Sequence, residues 1–246
     1  MEITIDELYN CDTFIINLDR CHERYTFSRN NIINAGFKSE SIHRFKGIDA
    51  KIDDLKAAWQ KHGNPKFNQI DPDFITYSGK QGCMLSHLDL WKMMIDNNVK
   101  IATVFEDDVC FHKDWSILAK SYLEITPKNF DLIYLGGQID YMMPGNVLMT
   151  PTFCTHAYII TLEGAKKLYK LLIEAPLGVR TIDYMLLELM ESVVFKNVDP
   201  VPFIWYTWNA TMFYDQFASA DPDWARRNHG LVFQDPKFVS DVRIWK

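Results

Sequence analysis

The sequence lacks the features that define several large functional classes. No GxGxxG and no GxxxxGK[ST] run occurs, so dinucleotide binding on a Rossmann turn and P-loop chemistry have no anchor. HExxH and GxSxG are also absent, which removes zincin and α/β-hydrolase readings. There is no basic excess: 26 Lys and Arg stand against 32 Asp and Glu, a net charge of −6. Nucleic-acid binders carry the opposite balance, so no nucleic-acid partner is expected. A negative protein still binds a diphosphate through a divalent metal and a few placed Arg and Lys side chains. The five cysteines (Cys11, Cys21, Cys83, Cys110 and Cys154) are odd in number and form no CxxC pair, so no zinc-type spacing and no disulfide framework is expected. They read as small buried thiols in a reducing compartment. Apolar runs such as residues 198–208 are interrupted and too short to span a bilayer. The first residues have neither a basic nor an apolar signal-peptide region. A cytoplasmic protein with no transmembrane segment is the expectation.

What is present is a folding composition, 48% hydrophobic and 14% aromatic over 246 residues. Short apolar runs at 13–18, 43–48, 101–105, 131–135 and 158–161 predict strands. Helical patterns at 23–35, 53–62, 83–97, 114–123, 162–173 and 181–191 lie between or after them. Residues 68–82, with Pro, Asp and Gly, read as a loop. The alternation predicts one α/β domain over 1–246, its sheet at least partly parallel, with residues from about 206 wrapped on it.

The most informative stretch is Ile101-Ala102-Thr103-Val104-Phe105-Glu106-Asp107-Asp108, a buried-type strand that stops at three acids. Ligands of open α/β sheets sit at the carboxyl ends of strands. Adjacent carboxylates repel and gain from a shared cation. If the backbone stays extended, Glu106 and Asp108 point the same way and present two carboxylates to one ion. Oxygen ligands favour Mg²⁺ or Mn²⁺, which keep positions open for phosphate oxygens. Two other acidic triplets, Asp71-Pro72-Asp73 and Asp221-Pro222-Asp223, follow no apolar strand and read as turn chemistry.

Several blocks then resemble glycosyltransferase family 25, in order. Ile16-Asn17-Leu18-Asp19-Arg20 with Arg24 is similar to the family's I-N-L-x-R-x-x-x-R, and Gly47-Ile48-Asp49-Ala50 to A-V-D-G. Gly79-Lys80-Gln81-Gly82-Cys83-Met84-Leu85-Ser86-His87 is similar to G-E-I-G-C-x-L-S-H, and Phe105-Glu106-Asp107-Asp108-Val109 to L-E-D-D-V. Thr181-Ile182-Asp183 is similar to P-V-D. The resemblance covers residues 11–205. It implies a GT-A-type, Rossmann-like mixed sheet flanked by helices. It also implies inverting transfer of galactose or glucose from a UDP-sugar to a hydroxyl of a glycan or of hydroxylysine.

The resemblance assigns the metal to Glu106 and Asp108, and the donor to Asn17, Leu18, Arg20, Arg24, Asp49, Gly79, Ser86, His87 and Asp107. Asp183 becomes the candidate catalytic base. Cys83 and Trp91 read as core, and the late aromatics Trp205, Tyr206, Trp208, Phe213 and Tyr214 as core before acceptor platform. Lys80 stands where the family has Glu, and the segment after Pro202 lacks a His that some members carry. Two rival readings stand beside the transferase: a non-catalytic sugar- or nucleotide-binding relative, and a metal-dependent phosphoryl transferase or hydrolase.

Overall fold

The computed structural model describes residues 3–67, 71–139, 145–175, 178–194, 203–210 and 228–238. Helix α1 (Ile5–Asn10) opens on a reciprocal cap: the Glu7 amide donates to Thr4 Oγ1 at 3.2 Å, and the Thr4 amide donates to the Glu7 carboxylate at 2.8 Å. Strand β1 (Asp12–Asn17), helix α2 (His22–Asn34) and strand β2 (Ile42–Lys46) follow. Next come α3 (Leu55–Gln60), α4 (Pro72–Thr76) and the long α5 (Ser78–Asp96). β3 (Ile101–Glu106) and β4 (Val109–Phe111) flank a turn at Asp107-Asp108 and lead to α6 (Trp115–Ile125). The chain continues through β5 (Leu132–Tyr134), β6 (Gly136–Gln138), β7 (Val147–Leu148), β8 (Ala157–Thr161), α7 (Leu162–Ile173) and α8 (Ile182–Val194). The described part of the tail holds β9 (Trp205–Trp208), β10 (Asn228–Gly230) and β11 (Val232–Gln234).

Seven strands form one mixed sheet in the order β2-β1-β3-β8-β5-β9-β7. β1 runs parallel to both β2 and β3, β8 runs antiparallel to β3 and β5, and β9 runs parallel to β5. Strand alternation sorts the apolar side chains onto two faces. Phe14, Ile16, Ala102, Val104, Leu132, Tyr134, Tyr158 and Ile160 pack under α5, α7 and α8. Ile15, Phe105, Ile133, Ala157 and Ile159 pack under α1, α2 and α6. Each buried Ile, Leu, Val or Phe among them contributes about 1.5–3 kcal/mol of transfer free energy. The result is the layered mixed α/β domain that the strand and helix pattern predicts.

One expectation is corrected, and one helix was not foreseen. The loop expected over 68–82 contains α4 and the start of α5. Asp71 caps α4 with Pro72 in its first turn, and α5 begins at Ser78 despite Gly79 and Gly82. Gly82 has a packing reason: a Cβ there would lie 2.6 Å from the Ile48 carbonyl oxygen, so α5 comes that close to the loop after β2 only without a side chain. The short α1 escaped the periodicity reading because six residues carry too little pattern. The described part of the tail wraps on the domain as strands. β11 pairs with β4, β10 pairs with β6, and Gly136 admits the Val232 carbonyl where a Cβ would clash. Asp221-Pro222-Asp223, Phe213 and Tyr214 lie outside the described residues.

Candidate functional site

β1 and β3 are parallel neighbours with Ile16 opposite Glu106, so Asn17 and the acid triplet emerge at the same sheet edge. The backbone does not stay extended through Asp108, as the period-two reading assumed; it turns at Asp107-Asp108. The turn still brings Glu106 and Asp108 together. The Gln234 side-chain amide lies 3.3 Å from Glu106 Oε2 and 3.5 Å from Asp108 Oδ2.

Glu106 and Asp108 line an open cleft together with Asn17, Leu18, Arg20, Arg24, Asp49, Gly79, Cys83, Ser86, His87 and Asp107. Lys51 adds a further cation to its wall. Asp107 is an anchor. Asn17 Nδ2 donates to its Oδ2 at 2.6 Å, and Arg24 Nε donates to its Oδ1 at 2.7 Å. Asn17 is itself held by Arg44, whose Nε donates to Asn17 Oδ1 at 2.7 Å. Arg24 also reaches Asp108 Oδ2 at 3.0 Å. Asp49 accepts from Arg20 Nε at 2.6 Å and from the Lys51 amide at 3.1 Å. Ser86 serves structure: its hydroxyl donates to the Gly82 carbonyl at 2.7 Å and accepts the Ile48 amide at 2.8 Å.

The three acids differ in their surroundings. Burial pushes Glu106 up, but its interactions with His87, His156 and Arg24 outweigh it and hold Glu106 below its ordinary value. Burial raises Asp107 despite Arg24 and Asn17. Burial, then the charge of Glu106, pushes Asp108 up to about 8. Asp108 Oδ1 is buried and has no hydrogen-bond partner among the described residues. A carboxylate beside other carboxylates, with one oxygen unanswered, is the arrangement a dication relieves.

His87 Nε2 lies 3.6 Å from Glu106 Oε1, and its Nδ1 is 2.9 Å from the Tyr158 hydroxyl. Trp91 is core as expected, and its indole donates to the same hydroxyl at 3.1 Å. Cys83 packs against the core as expected and also lines the cleft, because α5 presents it on the face of His87. The thiols are less buried than expected: Cys110 is buried and the other four are half-buried. Asp183 opens α8 but does not line the cleft. Burial, then the charges of Glu106 and Asp183, hold the Cys83 thiol well above its ordinary range, so Asp183 lies within electrostatic reach of the cleft wall. Lys80 is engaged elsewhere, 3.4 Å from Asp73 and over the Tyr77 ring. Trp205 and Trp208 are buried in β9, on opposite faces of the sheet.

Sequence reasoning missed Gln234, Thr155, Arg44 and Tyr158. Thr155 donates to Glu106 Oε1 at 3.2 Å. Gln234 arrives through the pairing of β11 with β4, and no local pattern announces it. For Cys83 a signal existed: a Cys and a His four apart on a helix share one face.

The description of the family model that matches residues 10–146 is glycosyltransferase family 25 (LPS biosynthesis protein). The chain is 36% identical over 102 residues to procollagen galactosyltransferase 1-A of Xenopus laevis, covering 37% of this chain and 17% of that protein. It is 34% identical over 101 residues to the inactive glycosyltransferase 25 family member 3 of Mus musculus, again 37% of this chain and 17% of the relative. A putative glycosyltransferase of Haemophilus influenzae is 30% identical over 171 residues, 64% of this chain and 58% of that protein. The matched stretch thus spans only part of the length of each curated relative. Among the described residues no helix is long and apolar enough to cross a membrane.

Proposed function

Because the chain belongs to glycosyltransferase family 25, we propose that it moves galactose or glucose from a UDP-sugar to a hydroxyl, with inversion, using Mn²⁺ or Mg²⁺ at Glu106 and Asp108. The observation that carries the reading is the buried, unanswered Asp108 Oδ1 beside Glu106, at the strand end where the cleft opens. These oxygen donors fit a hard divalent cation. Bound there, the ion supplies positive charge to the leaving diphosphate.

The chain's own residues supply the rest of the proposed chemistry. Arg24, Arg20 and Lys51 offset phosphate charge at the cleft wall. Asn17, Leu18, Asp49 and Gly79 hold the nucleoside; Asp49 keeps lone pairs for ribose hydroxyls beyond its two present bonds. Asp107 keeps Asn17 and Arg24 in place, Ser86 fixes the loop that carries Asp49, and His87 orients Glu106. Asp183 takes the proton of the acceptor hydroxyl as its oxygen bonds to the anomeric carbon. The bond from that carbon to the diphosphate oxygen breaks, and its electron pair leaves with UDP.

A glycan hydroxyl or hydroxylysine is the proposed acceptor, the latter supported by similarity to a procollagen galactosyltransferase. The five cysteines stand as thiols, chemistry suited to a reducing compartment, and a cytoplasmic location is proposed on that ground. The second reading, binding without turnover, is favoured by the relative named inactive. The test is UDP release from a panel of UDP-sugars with Mn²⁺, with Mg²⁺ and with EDTA. Metal-dependent release restricted to one or two sugars supports transfer. Binding of a UDP-sugar with no release under any acceptor supports the second reading, and neither binding nor release removes the donor assignment.

A further inference from the structure

Cys83 and His87 are four residues apart on α5, so their side chains share a helix face. Together with Glu106 they offer one sulfur, one nitrogen and one oxygen donor, all within 4.8 Å of one another. His87 Nε2 is 3.6 Å from Glu106 Oε1. Tetrahedral zinc, with bonds of about 2.0–2.3 Å, needs ligand-to-ligand edges of roughly 3.3–3.6 Å, so small side-chain shifts close the set. All three residues line the cleft.

We propose that Cys83, His87 and Glu106 form a second cation site, selective for zinc-class ions, and that filling it inhibits the enzyme by withdrawing Glu106 from the Glu106–Asp108 pair. The binding half stands on geometry alone; the inhibitory half rests on the proposed function. Thiolate and imidazole ligands select zinc over magnesium and manganese, so the two sites differ in the ion they prefer. Binding releases the Cys83 thiol proton to solvent as the sulfur–metal bond forms. His87 binds through Nε2 with its remaining proton on Nδ1, donated to the Tyr158 oxygen 2.9 Å away. The Trp91 indole, 3.1 Å from that oxygen, fixes the tyrosine in turn. Tyr158 is therefore a positioning residue of the site.

Cobalt(II) reports this site without any assay of transfer. The full chain, titrated with Co²⁺, shows a thiolate-to-metal charge-transfer band in the near ultraviolet, and one equivalent of Zn²⁺ abolishes it. Cys83→Ser loses the band, and Tyr158→Phe weakens Zn²⁺ competition by about tenfold. A wild-type chain with no band, or a band of full intensity in Cys83→Ser, overturns the binding half. If Cys83→Ser does not fold, as judged by circular dichroism, His87→Gln gives the same readout. Asp108→Asn keeps the band while losing manganese-dependent UDP binding, which separates this site from the proposed donor site. Inhibition is read as the Zn²⁺ concentration that halves each variant's own zinc-free UDP release. An unchanged value in Cys83→Ser overturns the inhibitory half.

Discussion

Two acidic triplets in this chain, Asp71-Pro72-Asp73 and Glu106-Asp107-Asp108, have opposite fates. Asp71 is almost fully satisfied. Its Oδ1 accepts the Phe74 amide at 2.9 Å, and its Oδ2 accepts the Thr181 amide at 3.3 Å and hydroxyl at 3.0 Å. It caps α4 and ties that helix to the residue before α8. Asp73, its partner in the motif, is exposed, and its carboxylate meets Lys80 at 3.4 Å. In the second triplet Asp107 is satisfied, whereas Asp108 keeps a buried oxygen with no partner among the described residues. Like carboxylates in a protein are not alike: donors already placed make one an element of structure, and donors left out make another a poised ligand.

Removing each acid sharpens this contrast. Asp108→Ala is expected to lower metal-dependent UDP release by roughly 100-fold or more, as loss of charge stabilisation at a leaving group does. Its melting temperature should not fall, because the change removes a buried carboxylate that is repelled by Glu106 and Asp107. A large loss of stability in Asp108→Ala would break the comparison. Asp71→Ala should do the reverse. It leaves Phe74 and Thr181 donors unanswered and destabilises by about 2 kcal/mol in denaturant melts, with UDP affinity kept.

The pH dependence of stability separates the triplets next. Burial raises Asp71, but the bonds from Phe74 and Thr181 outweigh it, so its folded value lies below its ordinary one. Its contribution is present above the unfolded value and is lost as pH falls through the folded value. Asp108 is raised in the folded chain to about 8, so its contribution is present below the unfolded value and is lost as pH rises toward about 8. In metal-free protein, Asp108→Asn should therefore flatten the decline in stability as pH rises from the ordinary carboxylate range to about 8, and Asp71→Asn should flatten the decline in acid. Equal pH profiles for the two variants would contradict the distinction. The smallest effect is expected for Asp73→Ala, within about 0.5 kcal/mol, because its ion pair is solvated.

Much of this contrast was legible before any coordinates. A buried apolar strand ending in acids, against acids beside a proline, separated Glu106-Asp107-Asp108 from Asp71-Pro72-Asp73. The strand runs and α7 were readable because their apolar periods are strong. The loop over 68–82 was misread because Gly79 and Gly82 signal a break locally, whereas Gly82 answers a tertiary demand, the approach of Ile48. The cleft's donors were readable as types in order along the chain, but their partners were not. Gln234 meets Asp108 only through the pairing of β11 with β4, and Tyr158 meets His87 where β8 packs under α5, contacts that no window of sequence contains. The second role of Cys83 was hidden for the same reason: a small residue packed against the core also faces the cleft once α5 is placed.

The most direct test of the account is calorimetric titration of the full chain with UDP, with and without Mn²⁺, for wild type and Asp108→Asn. The account predicts manganese-dependent binding in the wild type and its loss in Asp108→Asn. Binding of equal strength in both chains, or binding indifferent to the metal, would contradict the placement of the donor and its cation at Glu106 and Asp108.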